Sequence, residues 1–135
     1  MAAINQPITD GYYTAEASVL KANEEVPYGH VAMQVGGKIR AALTAVAGSK
    51  LLGMSLQDLD ETTGSDVTLS PPAAFARGLV VYLDAKSGDE PTAANLGGNV
   101  ALDTSSQVKA TVAGDDLTLT CTDIRADGKI GVYIP

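Results

Sequence analysis

Short runs of alternating apolar and polar residues extend along most of this chain, and they are clearest in its last third. Three such runs follow one another at residues 108–112, 117–122 and 130–134. A period of two predicts β-strands, because successive side chains of a strand point to opposite faces. The Gly114-Asp115-Asp116 and Asp127-Gly128 turns between the runs predict antiparallel pairing.

A tight hairpin is predicted between residues 31 and 43. Apolar residues alternate over 31–35 and again over 39–43, and Gly36-Gly37 between them supplies the positive φ that a two-residue turn needs. The segment KIRAALTAVA could form a helix by composition. The glycine pair before it and Gly48 after it leave little room, so a strand is favoured.

The remaining segments predict further strands. Residues 12–21 alternate as a strand although their Ala and Glu content also suits a short helix, and we favour the strand. Residues 51–56 predict a strand with a bulge or a close backbone approach at Gly53. Residues 79–83 are apolar at both odd and even positions, which predicts a central strand covered on both faces. Residues 99–104 predict one more short strand.

Eight to ten short strands at this spacing predict an all-β protein, a single compact antiparallel β-sandwich or partly closed barrel. The β-domain is expected to span residues 12–135, after a flexible N-terminal arm at residues 1–11 that lacks periodicity. The predicted buried residues are Val31, Met33, Val35, Leu52, Leu56, Val80, Tyr82, Leu117, Leu119, Ile130 and Val132.

Charge and composition exclude several functions. Sixteen Asp and Glu residues against nine Lys and Arg give a formal net charge of −7, which disfavours binding to nucleic acid. No stretch has the length of a membrane span, and the first residues lack the features of a secretory signal, so synthesis and folding in the cytoplasm are expected. Five Tyr, one Phe and no Trp provide few aromatic platforms for glycans.

Candidate chemistry is sparse. His30 is the only histidine and Cys121 the only cysteine, so neither a zinc site nor a hydrolase triad can be assembled, and both residues are expected to be structural. We therefore predict no enzymatic activity, no cofactor and no metal centre. The acidic loop at residues 58–66, with Asp58, Asp60 and Glu61, leaves a weak divalent-ion site open, although it lacks the spacing of a calcium loop.

The order of the blocks resembles that of small decoration or cement proteins of tailed-bacteriophage capsids. The resemblance rests on VPYGHVAMQVGGKIRAALTAVAGSKLLGMSLQD, then FARGLVVYLDAKSG, then the closing strand DGKIGVYIP, and it covers most of residues 26–135. It implies a β-rich structural protein without catalytic residues, which binds the outer surface of the phage head and braces neighbouring capsid subunits. The expected partners are the major capsid protein and further copies of this chain, with a trimer favoured.

Residues 1–14 have no clear counterpart in the resemblance, and an arm of this kind needs a partner to become ordered. We therefore expect the capsid or subunit contacts to involve the arm and the residues that follow it. The alternatives are another phage structural component, such as a tail or head-fibre protein, and a small carbohydrate-binding or ligand-binding β-module. The candidate contact residues are Ile4, Pro7, Ile8, Tyr12 and Tyr13.

Overall fold

The computed structural model describes residues 14–43, 47–61 and 64–135, and its fold is all-β, as predicted. One 3₁₀ turn at Ala93–Asn95 interrupts the strands. The strands of the described residues are β1 (Thr14–Leu20), β2 (Glu25–Val26), β3 (Val31–Val35), β4 (Lys38–Ala41), β5 (Lys50–Ser55), β6 (Leu59–Asp60), β7 (Val67–Ala76), β8 (Leu79–Ala85), β9 (Asn99–Thr104), β10 (Gln107–Lys109), β11 (Thr118–Ile124) and β12 (Ile130–Ile134).

Ten of these strands form two closed barrels that follow one another along the chain. The N-terminal barrel has the strand order β1-β4-β3-β5-β7, and the C-terminal barrel has the order β9-β10-β8-β12-β11. The chain passes from the first barrel to the second at Arg77-Gly78, between β7 and β8. Strands β2 and β6 pair separately as a small antiparallel sheet.

The two barrels share one topology. In each barrel the first strand pairs in parallel with the third, and the other neighbours pair antiparallel. The central hairpins also match in sequence, since VAMQVGGKIRAAL at residues 31–43 and VALDTSSQVKATV at 100–112 carry apolar and polar residues in corresponding places. The burial of residues 31–35 is repeated at 100–104, and that of 38–41 at 107–110. The chain therefore contains an internal structural repeat.

Strand predictions that depended on a local signal are confirmed. The hairpin turns at Gly36-Gly37, whose φ angles are 58° and 78°, and β1 is a strand rather than a helix. Gly53 pairs with Ala32 at a register shift between β3 and β5, and a Cβ at this position would collide with the carbonyl oxygen of Ala76. The close backbone approach expected at Gly53 is therefore present.

Each barrel encloses an apolar core, and one core is shared across the junction. The larger cluster lies in the C-terminal barrel around Leu119, Cys121 and Val132, and it includes Val31 and Ala42 from the N-terminal barrel. The smaller cluster lies in the N-terminal barrel around Leu20, Ile39 and Phe75. Because residues of one barrel complete the core of the other, burial of apolar surface holds the two barrels together.

The predicted core is partly wrong. Three residues expected to be buried are exposed: Leu56 at 40%, Val80 at 42% and Tyr82 at 42%. Strand β8 does have two neighbours, β10 and β12, but only one of its faces lies against the core. Its other face is apolar and exposed. Val35 and Leu117 are half-buried, and the remaining predicted core residues are buried.

Candidate interaction surface

The most distinctive exposed surface is the outward face of β8 and β12, here called the β8–β12 face. Alternation along β8 directs Val81 and Leu83 into the core and leaves Val80 and Tyr82 outside. Tyr133 of β12 is 40% exposed and pairs directly with Val80. The β8–β12 face, defined by Val80, Tyr82 and Tyr133, is thus built on regular sheet, which holds its side chains in fixed positions.

A glycine and a carboxylate position the ring of Tyr82. Gly131 of β12 pairs with Tyr82 on one side and with Asp123 of β11 on the other. A Cβ on Gly131 would lie 2.9 Å from Cε1 of Tyr82, so the ring covers the strand where a side chain is missing. The Tyr82 hydroxyl reaches across β12 and donates a hydrogen bond of 2.8 Å to Oδ2 of Asp123.

Charge surrounds this ring on two sides. The guanidinium carbon of Arg125 lies 5.0 Å from the centroid of the Tyr82 ring, within the range of a cation–π contact. The hydrogen bond to Asp123 raises the pKa of the Tyr82 phenol above its usual value, and desolvation and the negative charge of Asp123 act in the same direction. The ring is therefore held by contacts of three kinds, which lowers the entropy that it would lose on binding a partner.

A second row of residues crosses the same sheet beside Tyr82. Val80 pairs with Tyr133, and Tyr133 pairs with Thr120 of β11. Aromatic residues that offer apolar area and a polar tip are enriched at protein interfaces, and contiguous exposed apolar surface is a common mark of an interaction site. The chemistry available here is adhesion to another protein surface.

The contact residues predicted from the sequence, Ile4, Pro7, Ile8, Tyr12 and Tyr13, lie outside the described residues. The structure does describe Thr14, the residue through which this segment joins the barrel. Thr14, the first residue of β1, pairs with Ala76, and Ala76 precedes Val80 by four residues. Four residues span at most about 14 Å and paired Cα atoms lie about 5 Å apart, so the Cα atom of Thr14 lies within roughly 20 Å of that of Val80.

The lone histidine and the lone cysteine occupy structural positions. His30 lies at the junction of the barrels, where its Nδ1 is 2.8 Å from Oγ of Ser105. Cys121 is fully buried in the core of the C-terminal barrel, as predicted. Burial raises the pKa of its thiol, which keeps the thiol protonated and unreactive.

The acidic loop is engaged in hydrogen bonds and packing. Asp58 accepts a hydrogen bond of 2.8 Å from the backbone N–H of Tyr28, and Glu61 is 95% buried with its backbone N–H bonded to the carbonyl of Glu24. A cavity of about 260 Å³ is lined by Asn23, Glu24, Glu25, Asp60 and Glu61. Among the described residues, no group of three or more His, Cys, Asp or Glu residues is placed to hold a metal ion.

Comparison with known proteins leaves the site to be interpreted from its own geometry. Neither the scan of family models nor the searches of curated proteins and solved structures produced a match. Within the described residues, no helix has the length and apolar character that crossing a membrane requires.

Two of the three residues that define the β8–β12 face, Val80 and Tyr82, are among the predicted core residues and lie on the exposed side of the sheet instead, and Tyr133 is not among the predicted residues. Val80 and Tyr82 were assigned to the core because both parities of β8 are apolar. One signal for the outward position of Tyr82 is Gly131, which pairs with Tyr82 and leaves room for its ring. A second signal is the alternation in β12, where Tyr133 lies between the buried Val132 and Ile134 and therefore points outward.

Proposed function

We propose that this chain is a structural virion protein, a decoration or cement subunit that binds the outer surface of a phage head and braces neighbouring capsomers. The observation that carries the proposal is the exposed β8–β12 face, built on paired strands with Val80, Tyr82 and Tyr133 on its outer side. The resemblance of the sequence blocks to capsid decoration proteins supplies the class of partner. In this role the protein performs adhesion and no chemistry.

The β8–β12 face fits a protein partner better than a sugar. It offers valine, two tyrosine rings and a threonine in adjacent rows, and the ring of Tyr82 is already bonded through its hydroxyl to Asp123. A fixed apolar centre bordered by Asp123 and Arg125 has the composition of a small protein interface, an apolar core with a polar rim. The major capsid protein is the proposed partner.

The arm and the β8–β12 face are proposed to act as one contact surface. Residues 1–13 join β1 at Thr14, and they include the apolar or aromatic residues Ile4, Pro7, Ile8, Tyr12 and Tyr13. Contacts made by the arm would add to those made by the face because the two are linked covalently at short range. The same contacts, repeated by each copy in a trimer, would give many weak links to the shell.

Shell binding tests the proposal. We expect full-length protein to bind expanded empty shells of its phage saturably, and Val80→Asp with Tyr133→Asp to weaken binding at least tenfold, about 1.4 kcal/mol. Charges placed on an apolar contact must be desolvated without a partner, which explains the loss. Binding is measured by co-sedimentation with shells that lack the protein, and folding is checked by circular dichroism.

Tyr28→Asp is the matched control. Tyr28 is 62% exposed and lies in the loop between β2 and β3, outside the β8–β12 face, so its replacement should leave shell binding unchanged. Deleting residues 1–11 should leave the barrels folded and weaken attachment at least tenfold. If the full chain never binds shells, or if the doubly substituted protein binds as tightly as the parent, the proposed function is wrong.

A further inference from the structure

The contact between the two barrels joins unlike ends of their hairpins. At the open end of the N-terminal hairpin, where β3 begins and β4 has ended, Val31 and Ala42 pack into the core cluster of the C-terminal barrel. The Val31 N–H donates a hydrogen bond of 2.7 Å to the carbonyl of Ser105. Ser105 and Ser106 form the turn end of the C-terminal hairpin. At the junction, the open end of the N-terminal hairpin therefore lies against the turn end of the C-terminal hairpin.

Among the described residues, the repeat leaves one end of each kind outside the junction between the barrels. The N-terminal barrel has a free turn end at Gly36-Gly37, which is exposed, whereas Ser105-Ser106 at the junction is half-buried. The C-terminal barrel has a free open end at Thr111-Val112, although Val100, the repeat position of Val31, is fully buried within its own barrel. Thr111 occupies the repeat position of the fully buried Ala42 but is exposed. Val112 beside it is 45% exposed, compared with 37% for its counterpart Leu43.

The two free ends carry opposite charge. Lys21 and Lys38 lie at the free turn end, with Asp66 as the acid between them, and Lys38 Nζ is 2.5 Å from Oδ2 of Asp66. At the free open end, Asp89 accepts hydrogen bonds from the backbone N–H and hydroxyl of Thr111 at 3.2 and 3.0 Å. Asp115 is exposed in the loop that follows Val112. Complementary charge favours contact between these ends.

We propose that copies of this chain associate head to tail, with the turn end at Gly36-Gly37 of one copy seated on the open end at Thr111-Val112 of the next. This contact repeats between chains the contact that the structure shows within the chain. Each copy has one end of each kind, so the interface is heterologous and assembly proceeds beyond a dimer to a ring or an open chain. The proposal does not depend on binding to a phage shell.

Cysteine cross-linking tests the contact directly, because Cys121 is buried and leaves a clean background. Lys38→Cys marks the turn end and Val112→Cys marks the open end. We expect a short bismaleimide to join a mixture of the two single variants into covalent dimers, while each variant alone gives none. A Lys38→Cys and Val112→Cys double variant should give species larger than a dimer. Tyr28→Cys replaces Val112→Cys in the control mixture and should not be joined to Lys38→Cys, because Tyr28 is exposed in the loop before the junction residue Val31, away from both free ends.

Association in solution gives a second, independent reading. Sedimentation of the full chain without shells should show oligomers, and Val112→Asp should weaken association at least tenfold. Lys38→Glu should weaken it as well, and Asp115→Lys in the same chain should restore part of the loss. Cross-linking of either single variant with itself, or a monomer at every accessible concentration, would overturn the head-to-tail contact. Because no shell is present, neither result bears on capsid binding.

Discussion

The two barrels have the same strand topology and differ at their outward positions. In the N-terminal barrel the first strand presents Ser18 to solvent, whereas the first strand of the C-terminal barrel presents Val80 and Tyr82. Residues 31–35 and 100–104 nevertheless share one burial pattern. The comparison teaches that the inward positions determine the barrel, while the outward positions are free to acquire a surface for binding.

The core substitutions are expected to have the largest effect and test whether the barrels are separate at all. Phe75→Ala in the N-terminal barrel should lower the free energy of unfolding by about 3–5 kcal/mol, and Leu119→Ala in the C-terminal barrel by about 2–5 kcal/mol. Since Val31 and Ala42 complete the other barrel's core, we expect one cooperative transition in urea for each variant. Two transitions, one unchanged from the parent, would show that the barrels unfold independently.

A glycine at the barrel junction is expected to have the next largest effect. Gly53 has a φ of 132°, and its Cβ would meet the Ala76 carbonyl just before the chain crosses to the second barrel. Gly53→Ala should cost about 3 kcal/mol or more, the combined result of backbone strain and overpacking. Gly88→Ala is the matched control, because Gly88 has a φ of 87° with open space around it. It should cost about 1 kcal/mol, and equal losses would contradict the close approach.

Alkaline pH should act on the C-terminal barrel through Tyr82. The folded protein holds the phenolic proton more tightly than the unfolded chain, because the hydroxyl donates to Asp123. Its stabilising contribution is present below the unfolded pKa near 10 and is lost as the pH rises through the higher folded pKa. The phenolate absorbance of Tyr82 is the part of the alkaline absorbance change that Tyr82→Phe lacks. We expect it to appear above about pH 10 in the parent protein and at lower pH in Asp123→Ala. Titration of this phenol below pH 10 would contradict the bond.

Acidic pH should act on the N-terminal barrel, with the smallest effect, through Asp66. A hydrogen bond from Lys38 and a second from the backbone N–H of Ala22 lower the pKa of Asp66 below its usual value of 3.8. The contribution to stability is present above that value and is lost as the pH falls through the folded pKa. Asp66→Asn should therefore make stability less dependent on pH below about 4, as measured by thermal unfolding. Lys38→Met should reproduce the change, and an unaltered profile in both would contradict the bond.

Local features of the fold could be predicted because each depends on a few neighbouring residues. The Gly36-Gly37 turn, the close approach at Gly53 and the burial of Cys121 all follow from short patterns. The internal repeat is also present in the sequence, since residues 31–43 and 100–112 match in pattern. Strand spacing, on which the prediction of a single sandwich or barrel rests, does not distinguish one unit from two like units.

The sequence by itself determined the all-β class and most strand positions. Only the tertiary structure decided which face of β8 is buried. Both parities of β8 are apolar, so alternation carries no preference, and the choice depends on pairing with β12, distant in sequence. The junction of the barrels was decided in the same way, because Val31 and Ser105 are distant in sequence and meet only in the tertiary structure.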